Sequence, residues 1–181
     1  MNQLDEFAPV ASRLVRAVSA GYRTEVESNA ADFIRLIVKK DHIELRVDLV
    51  NDSSRHFGEL ITVAELGSID SIANILANKL TALCRYEAKD VADIIEICRH
   101  EAFSWPDMIE NATAKEAGID PASIAEILAS VPDAELAQVK WVDPPDLEKM
   151  RFDLSVIAED ILLGGVNNPS RPRKVRTRHA R

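Results

Sequence analysis

The sequence predicts an α+β fold, in which a small sheet with flanking helices precedes a helical C-terminal half. Three observations carry this prediction. Residues 4–20 repeat their apolar side chains at helical spacing, residues 33–50 change to short β-branched runs with alternation, and residues beyond 69 return to helical spacing. The composition agrees, because only six of the 181 residues are glycine and only seven are Phe or Trp, a profile that favours helices over a barrel or a sandwich. With 46% hydrophobic residues the chain is long enough for one sizeable core, or for a small mixed unit followed by a helical one.

Phe7, Val10, Ala11, Leu14, Val15 and Val18 make one stripe of a first helix, and Gly21 supplies its C-terminal stop. Phe33–Val38 and Ile43–Val50 then read as two strands joined by a hairpin at Lys39, Lys40 and Asp41. In the second strand Ile43, Leu45, Val47 and Leu49 point one way, and His42, Glu44, Arg46 and Asp48 the other. The first strand is apolar on both faces, which places it inside a sheet rather than at its edge. A loop from Glu59 leads to Gly67, Ser68 and Asp70, read as a turn and an N-cap. Ile69, Ile72, Ala73, Ile75, Leu76, Leu80 and Leu83 form the stripe of the helix that follows, and a second helix runs to Arg99 after a polar break. Ser104-Trp105-Pro106-Asp107 opens a further helix that Gly118 ends. Asp120-Pro121 opens another, closed by Pro132, and Asp146–Leu163 forms the last before Gly164-Gly165.

Charge and cysteine content narrow the function. Residues 167–181 hold six of the 22 basic residues and none of the 30 acids, so a body of about -14 precedes a tail of +6. An acidic body is not that of a general nucleic-acid binder, although the basic arm suits RNA phosphate or a fold back onto the body. Cys84 and Cys98 lie in helical patterns without metal spacing and are expected as reduced core thiols of a cytoplasmic protein. No apolar run approaches the ~20 residues that a spanning helix needs, so no membrane partner is expected.

Few charges interrupt the central helical stretch, and their placement singles them out. Lys79 borders the apolar stripe, where a lysine either extends its ammonium to water or holds an anion such as phosphate. Asp90 and Asp93 stand three positions apart, where like charges repel unless a cation separates them. On one unbroken helix Lys79 and Asp90 would share a face yet stand roughly 16 Å apart at 1.5 Å per residue. A bend near Tyr86, Glu87 and Ala88 would bring them closer. Asp90 also suits a cap or dipole partner for the second helix, and Asp93 a solvated surface. Asp48 sits near the end of a strand on its polar face, a position that suits a divalent metal on a substrate phosphate, although taken alone the alternation of His42, Glu44, Arg46 and Asp48 favours a salt-laced outer face.

A helix ending in Gly-Tyr, a hairpin ending in RVDLV, and then LANKLTALCRYEAKDVADIIEI together resemble the AbiEii/AbiGii-type nucleotidyltransferase toxin family over residues 7–100. The motif residues are Leu76–Leu83 with Lys79, then Arg85, Lys89, Asp90 and Asp93. The resemblance implies a partial DNA-polymerase-β-like unit with a small mixed sheet over residues 1–66 and a helical domain over 67–166, while the composition of residues 167–181 is that of a basic disordered tail. It implies transfer of a nucleotidyl group from an NTP to an acceptor such as tRNA, with Mg²⁺ and a cognate antitoxin. On this mapping Asp48 is a metal-site carboxylate, Asp90 and Asp93 are catalytic, and Lys79 and Arg85 bind nucleotide. The family's Gly-Ser turn and Asp-x-Asp pair have no counterpart ahead of the first helix, so impaired transfer is expected. The alternative is a non-catalytic scaffold that binds protein or RNA. A sheet edge left open by the missing strand is expected to pair as a homodimer.

Overall fold

The computed structural model describes residues 4–51, 55–65 and 67–170, and divides into two compact units, Met1–Ser54 and Arg55–Arg181. Residues 52–54 and the basic residues 171–181 lie outside the described residues. The fold is α+β as the sequence predicts, with a helix and small sheets first and a mostly helical half after them.

In the first unit, helix α1 (Leu4–Gly21) packs on a three-stranded sheet of order β1 (Arg23–Asn29), β2 (Phe33–Lys40), β3 (Ile43–Val50). Every pairing is antiparallel, where the family resemblance implied a mixed sheet. The doubly apolar β2 takes the central position, as its composition requires, with Leu36 fully buried. Asp41, in the two-residue turn between β2 and β3, adopts φ +52°, a left-handed conformation that Asp tolerates better than most residues. Ala11, Ile34 and Leu36 form the core, with Phe7, Val15, Val38, Val47 and Leu49 against it. Val10 and Leu14, assigned inward by the helical stripe, are instead exposed. Strand β1 was not expected from its sequence, because Arg-Thr-Glu-Val-Glu-Ser-Asn has no apolar alternation.

The second unit begins with a short hairpin of β4 (Ile61–Val63) and β5 (Gly67–Ile69), so Gly67 and Ser68 form a strand rather than the expected turn. Helix α2 (Ile72–Ala82) starts three residues after Ile69, with Ser71 rather than Asp70 as its N-cap, accepting from the Asn74 N–H at 3.1 Å. Asp70 supports this start by accepting from the Ser71 N–H and from Asn74 Nδ2, with His56 Nε2 2.5 Å away. A 3₁₀ turn (Leu83–Arg85) and a left-handed Tyr86, φ +54°, separate α2 from α3 (Ala88–His100).

Helices α4 (Trp105–Lys115), α5 (Pro121–Ser130), α6 (Asp133–Gln138) and α7 (Leu147–Leu162) complete the unit. Ser104, Asp120 and Asp146 cap α4, α5 and α7 as their sequences predict, each accepting a hydrogen bond from the backbone N–H three residues on. Leu76, Leu80, Ile94, Trp105, Leu128 and Leu154 are among the buried residues of one contiguous core. Arg99 reaches across to Asp153 at 2.8 Å, which ties α3 to α7. Strands β6 (Phe103–Ser104) and β7 (Val166–Asn167) pair beside it. Asn167, expected in a disordered tail, is buried and donates to the Cys98 and Glu101 carbonyls. Cys98 is buried as expected, but Cys84 is exposed because the 3₁₀ turn rotates it off the helical stripe.

Leu80 is completely buried, whereas Ile72 at the open end of the same stripe is more than a third exposed. Leu80→Ala should therefore lower stability by about 2–5 kcal/mol. Ile72→Ala should cost about 1 kcal/mol or less. Urea unfolding of the two variants measures the difference.

Candidate functional site

The break between α2 and α3 brings together what a single helix would hold apart. The 3₁₀ turn closes with Tyr86 N–H donating to the Leu83 carbonyl, and the left-handed Tyr86 then redirects the chain into α3. Lys79 Nζ consequently lies 2.7 Å from Asp90 Oδ1 and 2.6 Å from Asp93 Oδ2. The three groups are not equally buried. Asp90 is 7% exposed and Lys79 26%, while Asp93 is 52% exposed. Asp90 does not cap α3, whose N-cap is Glu87 without a side-chain hydrogen bond; it lies in the first turn, where a carboxylate suits the helix dipole, and directs its charge at Lys79.

Burial alone would make Lys79 easier to deprotonate. The hydrogen bonds and charges of Asp90 and Asp93 outweigh it and hold the ammonium above the ordinary lysine value. The raised value favours the ammonium form, so Lys79 is poorly suited to act as a nucleophile or a general base. An ammonium has three N–H donors, and two are directed at carboxylates, which leaves one for a ligand.

Arg85 ends the 3₁₀ turn and is exposed. Beside it, the hydrogen bond and charge of Lys89 hold the Glu87 carboxyl below its usual range, with smaller contributions from Arg85 and Lys79. A hollow of about 570 Å³ opens at this N-terminal end of α3 against α6, lined by Glu87, Lys89, Glu135 and Lys140 among others.

Asp48 belongs to the first unit. Its two oxygens accept from Arg35 Nε at 2.7 Å and Arg35 Nη2 at 2.9 Å across the β2–β3 pair, and Arg46 stands 3.9 Å away. This fork holds the Asp48 carboxyl below its usual range. The salt-laced outer face weighed for this strand is what the side chains form, with Lys39 near both Glu25 and Glu44.

The carboxylates as arranged do not fit a magnesium ion. A divalent ion needs carboxylate oxygens converging on one point, but Asp48 already meets a guanidinium and Asp90 and Asp93 converge on an ammonium. Among the described residues no group of three His, Cys, Asp or Glu could hold a metal. No helix among them is long and apolar enough to cross a membrane.

No family model matches the chain, and no curated protein does. A crystal structure from H. pylori, described as that of a candidate nucleotidyltransferase, matches with a TM-score of 0.50 at 21% identity, over 82% of this chain and 71% of that one. At that identity the likeness concerns the fold alone. The chain thus shares a fold with that structure, and carries a lysine-centred charge cluster at the bend between α2 and α3.

Breaking a buried ion pair by removing one partner costs about 3–5 kcal/mol, and the quarter exposure of Lys79 reduces this. Asp90→Ala should cost on the order of 1–3 kcal/mol. Asp93→Ala should cost at most about 1 kcal/mol, as for exposed pairs. The Lys79 contribution has a defined pH window. Because its folded value is raised, the stabilisation is complete below the ordinary lysine value and is lost as pH rises through the raised one. Alkaline unfolding curves should show this loss in the wild type and lack it in Lys79→Met.

Proposed function

We propose that this is a nucleotidyltransferase-like protein that binds a nucleoside triphosphate at Lys79, and that nucleotidyl transfer to an acceptor such as tRNA is weak or absent in this chain. The observation that carries the reading is the Lys79 ammonium fixed at a helix bend by a buried Asp90. Phosphoryl chemistry depends on positioned cations around the phosphate charge more than on a covalent nucleophile. Asp90 positions the ammonium. Asp93, half exposed, competes with phosphate for it and is the partner a triphosphate displaces. Arg85 supplies a second cation from the adjoining turn.

The assignment of weak transfer follows from the engaged carboxylates, which leave no donor set for Mg²⁺ among the described residues. A toxin role with a cognate antitoxin, as in the AbiEii/AbiGii type, rests on the motif of Lys79, Arg85, Lys89, Asp90 and Asp93 and accompanies this reading. The engaged acids also favour a second one, in which the fold is a non-catalytic scaffold and the basic residues 171–181 hold RNA phosphate.

Calorimetric titration of each NTP, in Mg²⁺ and in EDTA, separates the two. The first reading expects binding that persists in EDTA. It should weaken by on the order of ten- to a hundredfold in Lys79→Ala, the value of one charge-assisted hydrogen bond. Asp93→Asn should bind more tightly than the wild type, and Asp90→Asn less. Absence of heat with every nucleotide would falsify the nucleotide reading. Salt-sensitive RNA binding lost on removing residues 171–181 would then support the scaffold.

A further inference from the structure

The first unit has two sheet edges, and they are built differently. Strand β1 carries a register shift between Val26 and Ser28 and displays Arg23, Glu25 and Glu27, devices that discourage a further strand. Strand β3 has none of this on its apolar face. It runs eight residues in unbroken register with β2, from Lys40↔Ile43 to Phe33↔Val50, and no strand pairs on its other side among the described residues. A trough of about 370 Å³ lies along it, lined by Val18, Tyr22, Val38, Ile43, Leu45 and Val47, with Lys40 at its end. Ile43 is 62% exposed and Leu45 59%. Val10 and Leu14, both exposed, stand two turns and one turn before Val18 on α1 and continue the same apolar stripe.

The hydrogen-bond pattern of β3 limits how another strand can join. A two-residue turn makes Lys40↔Ile43 a hydrogen-bonded pair, so Ile43, Leu45, Val47 and Leu49 spend their backbone groups on β2. Glu44, Arg46, Asp48 and Val50 present theirs outward. An antiparallel copy of β3 satisfies them in three central registers. Centred on Arg46, the pairing sets Arg46 against itself and Glu44 against Asp48, like charges throughout. Centred on Leu45, it overlaps only residues 43–47. Centred on Val47, it overlaps residues 44–50, sets Arg46 opposite the partner's Asp48 twice, and sets Leu45 opposite the partner's Leu49 twice.

The geometry points to a second copy of this chain as the occupant of the β3 edge, paired antiparallel about a twofold axis at Val47. Such an axis stands perpendicular to the sheet and puts both α1 helices on one face of a six-stranded sheet. The two apolar troughs and their Val10–Leu14 stripes then face one another. This inference stands apart from the nucleotide reading, because it uses only residues of the first unit.

Sedimentation equilibrium of the full chain should show a monomer–dimer equilibrium. Arg46→Glu, which faces the partner's Asp48 at both pairs, should raise the dimer dissociation constant by on the order of tenfold. Val47 is its own partner at a non-hydrogen-bonded position, where Cα atoms approach to about 4.5 Å. In a Cys84→Ser background, Val47→Cys should therefore cross-link into a covalent dimer on mild oxidation, and Leu45→Cys should not. A monomer at every concentration overturns the proposal. So does a dimer that neither Arg46→Glu weakens nor Val47→Cys captures, or one captured by Leu45→Cys instead. A dimer that appears only with another cellular protein present would assign the edge to that protein.

Discussion

The second unit is organised around a lysine whose charge two carboxylates hold in place where two helices meet at a bend. The Lys79–Asp90 contact joins the last turn of α2 to the first turn of α3 across a 3₁₀ turn and a left-handed residue. Both helices bury their apolar faces in the same core, so the position of the charges is set by Leu76, Leu80, Leu83, Ile94 and Ile95 rather than by the ion pair itself. The ion pair in turn removes the cost of a buried aspartate. Core packing and charge placement therefore specify the same bend, and each would be less well determined alone.

Burial divides the labour among the charged groups. A carboxylate sealed in the core can only position its partner, whereas one half in water can exchange it for a ligand. The same distinction separates the two units. Asp48 sits on an exposed sheet face in a bidentate fork with Arg35, a stable arrangement that occupies both of its oxygens. The fold resembles that of the H. pylori structure, and its acids face cations supplied by the chain.

Much of this was legible in the sequence, and the reasons are local. Ser104, Asp120 and Asp146 announced their helices through capping chemistry, and the doubly apolar β2 announced its central place. The elements that were missed share a different trait. Strand β1 is a polar edge strand, β4 and β5 are three residues each, and α6 is six residues capped by Pro132 without a side-chain hydrogen bond, so none carries a periodic signal. The convergence of Lys79, Asp90 and Asp93 could be suspected from their spacing, but it required the bend at Tyr86. The exposure of Val10 and Leu14 was not readable, because periodicity says which residues share a face and not how much of that face is covered.

The central claim is that Lys79 exchanges Asp93 for a phosphate while keeping Asp90. Nitrogen-detected NMR of the lysine side chains tests it most directly, following the Lys79 ammonium as a nucleoside triphosphate is added. The account predicts that this signal is protected in the free protein, shifts on titration, and acquires coupling to phosphorus while Asp90→Asn abolishes its protection. A Lys79 signal that stays fixed while the nucleotide binds would contradict it and move the site elsewhere.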